Sequence, residues 1–148
     1  MAEALGITAS IITVLDLAKK TVKYLNDVKS APSERHQLVL EISTIIGCFY
    51  MLKDSAERAQ AEDSYSTAWG SVDAPNGPIK QLQLALETLV TKLRPRHGVH
   101  GMATALKWTF DKVEINQILS RIERQKSLLV LALQNDQASA VPPLPRLR

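Results

Sequence analysis

From Ala2 to Lys29 the chain contains no proline and sets Ala4, Ile7, Ile11, Val14, Ala18, Val22 and Leu25 at steps of three and four. That spacing lines one face of an α-helix. The rhythm returns without a slip in Leu38, Ile42, Ile45, Phe49, Leu52, Ala56 and Ala59, again in Ile79, Leu82, Leu86, Leu89 and Leu93, and, with one step of seven, in Ile115, Ile118, Ile122, Leu129 and Leu133. Long helices that each carry one apolar face must turn those faces toward one another, so the pattern predicts an all-α fold, a single helical bundle.

The punctuation between these runs places the boundaries. Ser30, Ala31, Pro32 and Ser33 stop the first helix and start the second, with proline in a first turn and serine as the capping oxygen. Glu62 to Pro78 is rich in Asp, Ser, Gly and Pro and reads as a surface connection, pinned to the bundle by Tyr65, Trp69 and Val72. Asn76, Gly77 and Pro78 open a third helix that Arg94 and Pro95 close, and Gly98 to Gly101 form the next connection. Asp111 with Glu114 three residues on resembles a capping box. About five helices are therefore expected, over 2–29, 32–61, 78–94, 102–110 and 112–136. The bundle should occupy residues 1–137, with a proline-containing tail over 138–148. Leu38, Ile42, Ile45, Phe49, Leu52, Leu82, Leu86, Leu89, Ile118, Ile122 and Leu129 are the expected core.

With 148 residues, 45% of them hydrophobic, the chain can bury one continuous core without metal or disulfide staples. The lone Cys48 has no partner for an internal bridge, and the residues after Met1 lack a basic n-region, so a reducing cytoplasmic setting is expected. Catalytic groupings are not evident. His36, His97 and His100 stand apart from any Glu-x-x-His pair, and Cys48 lies among Ile45, Ile46, Gly47, Phe49 and Tyr50, which suits a small buried hydrophobe better than a nucleophile. Gly6 and Gly47, each inside a helix, read as points of close helix packing. No enzyme activity and no cofactor are expected. The net charge of +3 suits an acidic partner or an anionic membrane surface, and the absence of interleaved aromatics argues against nucleic acid.

Two features exceed a generic bundle. The half of the first helix from Ala4 to Leu15 holds no charge, and apolar residues fall on nearly every face: Leu5, Ile7, Ile11, Ile12, Val14 and Leu15, with Gly6 among them. A helix of this kind is buried all round or leaves water for lipid. Ile7, Ile11 and Val14 form its core stripe, while Leu5, Ile12 and Leu15 lie off it. Its uncharged part reaches only about 18 Å at about 1.5 Å per residue, short of a bilayer core of about 30 Å. Lys19, Lys20 and Lys23 follow as a cationic shoulder. Secondly, no acid occurs between Glu87 and Asp111, a window that holds Lys92, Arg94, Arg96 and Lys107. This patch is either a solvated loop or a surface that meets anionic head groups.

The segments MAEALGITASIITVLDLAKKTVKYLNDVK, LVLEISTIIGCFYMLKDSAERA, PNGPIKQLQLALETL and ALKWTFDKVEINQILSRIERQKSLLVLALQND resemble the HeLo-like N-terminal domain of fungal NOD-like receptors, over roughly residues 1–137. That family is similar to the four-helix executioner domain of the necroptosis pseudokinase and to the coiled-coil domains of plant resistance proteins. The resemblance implies a four-helix-bundle type of fold and an effector of cell death or heterokaryon incompatibility, held in the cytoplasm and recruited to the plasma membrane. Its implied partners are further copies of itself, anionic membrane lipids, and an upstream nucleotide-binding receptor module or amyloid-type signal. Helix one would be the lipid-engaging element. Trp108 and Phe110, with Glu123, Arg124 and Lys126, match the family's last helices, the two aromatics as core packing. Where the resembling proteins continue toward the nucleotide-binding module this sequence turns to SAVPPLPRLR, which leaves open an excised domain or a short complete protein. The alternative function is a helical interaction or self-association module without membrane activity.

Overall fold

The computed structural model describes residues 2–28, 31–61, 69, 72–93 and 110–140. Among them are four α-helices and no strand: α1 Ala2–Asp27, α2 Pro32–Ala61, α3 Pro78–Leu93 and α4 Lys112–Ala140. The proposed helix over 102–110 lies outside the described residues except for Phe110, which is buried but not helical. The last helix continues to Ala140 and does not fade after Asp136, so the expected boundary at 137 falls within a helix.

The starts of α2, α3 and α4 each have a local cause. The carbonyl of Ala31 accepts the Arg35 N–H at 3.0 Å, which makes Ala31 the cap of α2 and puts Ser33 inside the helix. The expected serine cap is thereby corrected for Ser33, and Ser30 lies outside the described residues. Ala31 has a φ of 53°, a left-handed conformation that costs an L-residue about 1 kcal/mol. Gly77 caps α3 ahead of Pro78, its carbonyl accepting the Gln81 N–H at 3.1 Å. At α4 the capping box is complete: the Glu114 N–H donates to Asp111 Oδ1 at 2.8 Å, and the Asp111 N–H donates to Glu114 Oε2 at 3.3 Å.

α1 packs on α2 and α3, and α4 packs on the same two, so α1 and α4 occupy opposite corners of a square bundle. Lys126 of α4 pairs with Glu41 of α2 at 3.0 Å, and further along both helices Leu52, Ala132 and Leu133 line one cavity. α2 and α4 therefore run parallel. Lys92 near the end of α3 pairs with Glu114 near the start of α4 at 2.6 Å, so these two are antiparallel. Phe49, Ile11, Leu25, Leu38, Ile42, Ile45, Leu82, Leu86 and Leu89 are fully buried in one core. Trp69 and Val72 are buried against Leu52 and Leu133, and so pin the α2–α3 connection as their residue types suggest; Tyr65 is outside the described residues. Of the expected core positions only Ile118 is half-buried, packed at the edge.

Candidate functional site

The first four turns of α1 form the site built most directly by local sequence. Ile7, Ile11, Val14, Ala18 and Leu25 are buried along the stripe. Leu15, expected off the stripe, is only 4% exposed, and this is a correction. α1 faces two neighbours from its corner, so its buried arc is wider than a single-partner stripe. Lys19, one turn beyond Leu15, reaches Tyr50 of α2, which places Leu15 on the flank turned to α2. Ile12 is 43% exposed, as an off-stripe residue should be. The Leu5 side chain lies outside the described residues.

α1 is neither central nor buried all round, which corrects that reading of its apolarity. Among the described residues from Gly6 to Leu15 its outward face consists of Gly6, Ala9, Ile12 and Thr13, all exposed and all uncharged, ahead of the exposed Asp16. The Thr13 hydroxyl donates to the Ala9 carbonyl at 3.0 Å, and Thr21 does the same to Leu17 at 2.7 Å. A hydroxyl satisfied by its own helix makes little demand on water. Neither Gly6 nor Gly47 marks close packing: both are exposed, and a methyl added at either meets nothing within 4 Å. The packing role expected of them is withdrawn.

Lys19, Lys20 and Lys23 are exposed on α1 beyond this uncharged face. The Lys19 ammonium stands 5.2 Å from the Tyr50 ring centroid, and the Tyr50 hydroxyl raises its pKa. Lys20 lies 5.8 Å over Tyr24. Of the second basic group only Lys92 is described; Arg94, Arg96 and Lys107 fall outside the described residues, as do His97, His100 and Trp108. Lys92 is 5.1 Å from the Phe110 ring centroid and is paired with Glu114, an acid that the fold brings to the patch from beyond the acid-free window. A cleft of about 270 Å³ opens here between α3 and α4, lined by Thr88, Lys92, Phe110, Gln117 and Arg121.

Ion pairs join α4 to α2 and α4 to α3, but among the described residues none joins α1 to any other helix. The α2–α4 pair is half-buried, and the hydrogen bond to Glu41 raises the Lys126 pKa, with Glu123 adding to it at 3.2 Å. α1 is instead held by apolar burial and the Lys19–Tyr50 contact. Cys48 is half-buried near Lys126, a basic neighbour that α4 supplies and the local sequence does not show. Burial pushes its thiol pKa up more than Lys126 pulls it down, so the sulfur is not activated. Among the described residues no three His, Cys, Asp or Glu side chains converge on a metal position, and no helix is long and apolar enough to cross a membrane. No family model, no curated protein and no solved structure matches the chain.

Proposed function

We propose that the chain is a membrane-directed effector domain of the HeLo-like kind, acting in cell death or incompatibility when clustering lets α1 exchange the bundle for lipid. The observation that carries this is the asymmetry of α1: a run from Ala4 to Leu15 without any charge, whose described outward residues are uncharged too, in a helix that no described ion pair ties to its neighbours. Releasing Ile7, Ile11, Val14, Leu15 and Leu25 into water would cost on the order of 10 kcal/mol, at about 1.5–3 kcal/mol per aliphatic side chain. That is comparable to the whole stability of a domain, typically about 5–15 kcal/mol, so the resting bundle keeps its helix. Lipid hydrocarbon removes most of the penalty, because acyl chains are as apolar as a leucine core. The helix therefore moves only where a bilayer is at hand, and self-association supplies the local concentration. The upstream trigger in this scheme is a nucleotide-binding module or an amyloid-type signal, in cis or in trans.

A second reading, a plain self-association module, draws on α2, whose outward residues Leu40, Thr44, Gly47 and Met51 are exposed and uncharged. Dye leakage separates the two. Fused to a chemically induced dimeriser and mixed with phosphatidylserine-containing vesicles, the chain should release trapped dye on addition of the inducer. Clustering that leaves the vesicles intact favours the interaction module.

A further inference from the structure

The corner opposite α1 carries a face of different chemistry. Val113, Gln117, Ser120, Arg121, Arg124, Leu128 and Leu131 follow one another along the outside of α4 at helical spacing, and every one is exposed. Val113 is 65%, Leu128 44% and Leu131 53% exposed, large values for aliphatic side chains. No acid stands on this stripe. The nearby carboxylates are turned to the flanks and occupied, Glu114 by Lys92 and Glu123 by Lys126. Arg121 and Arg124 make no ion pair among the described residues. Arg121 also lines the cleft in which Lys92 pairs with Glu114.

From Val113 to Leu131 the stripe runs about 27 Å at about 1.5 Å per residue. Two guanidiniums stand in its middle with aliphatic side chains at both ends. An aqueous surface gains nothing from exposing Leu128 and Leu131 beside unpaired arginines. A phosphate-rich interface satisfies both, since the leucines enter the boundary below the head groups while the longer arginines reach back to the phosphates. We infer that this outward face of α4 seats the folded bundle on an anionic lipid surface, before and apart from any movement of α1. The inference rests on the membrane-directed reading and adds the face that reads the membrane.

The test is co-sedimentation of the full chain with vesicles of phosphatidylcholine alone or mixed with phosphatidylserine, at low and high salt. The parent should bind the mixed vesicles and lose binding as salt rises. Arg121→Gln with Arg124→Gln should weaken binding about 25-fold, roughly fivefold per residue, and flatten the salt dependence. Leu128→Gln with Leu131→Gln should weaken binding while keeping the salt dependence. All four positions are exposed, and circular dichroism should report an unchanged fold. Ile12→Glu should bind like the parent while losing leakage, which separates attachment from α1 action. Variants that bind as the parent does overturn this face alone, and a parent that neither binds nor leaks overturns both readings. Loss of self-association in the α4 variants with vesicle binding intact would give the face to a second copy of the chain and overturn the lipid assignment.

Discussion

Leu15→Glu is expected to abolish the cooperative thermal transition. Leu15 is buried where α1 meets the core, so the substitution first forfeits about 1.5–3 kcal/mol of aliphatic burial. It then places a carboxyl group among apolar neighbours. Even protonated, a buried polar group without a hydrogen-bond partner costs roughly 2–7 kcal/mol. Together these approach the stability of a typical domain of about 5–15 kcal/mol. Scanning calorimetry should show no single sharp peak, and circular dichroism a shallow loss of helix on heating. A melt within a few degrees of the parent's would mean that the Leu15 side chain points to water after all.

Ile12→Glu, three residues earlier, should do the opposite. Ile12 is nearly half exposed, and exposed substitutions usually stay within about 0.5 kcal/mol, so the bundle should melt close to the parent. The loss should appear at the membrane. A charged side chain near the bilayer centre costs about 2.5–3.5 kcal/mol on insertion scales, so leakage after enforced clustering should fall about a hundredfold. Full leakage from a folded Ile12→Glu chain would remove α1 as the effector.

The contrast between these neighbouring positions marks how far periodicity reaches. The three-four spacing and the proline, glycine and capping signals place α2, α3 and the start of α4 almost to the residue, because those signals act within one or two turns. What they do not report is how many neighbours a helix has. α1 sits at a corner between α2 and α3, so its buried arc extends past the stripe to Leu15 and still leaves Ile12 outside. The glycines misled for a related reason. Gly6 and Gly47 carry the local penalty of glycine in a helix, but whether that relieves a close contact depends on which way the position faces. Contacts made at long separation were equally hidden. Lys126 meets Glu41 across 85 residues, and Glu114 turns out to be the acid that answers Lys92. The outward stripe on α4 is legible in the sequence as well, since its exposed positions from Val113 to Leu131 recur at helical spacing.

The most direct measurement puts a probe at position 12. Ile12→Cys in a Cys48→Ser background carries an environment-sensitive fluorophore on the outward face of α1, with no other thiol in the chain to compete for the label. At rest, with or without vesicles, its emission should be that of a probe in water. On clustering with phosphatidylserine-containing vesicles it should shift to the blue and be quenched by nitroxides on the lipid acyl chains. A probe that stays in water while the vesicles leak would contradict the exchange of α1 from bundle to bilayer.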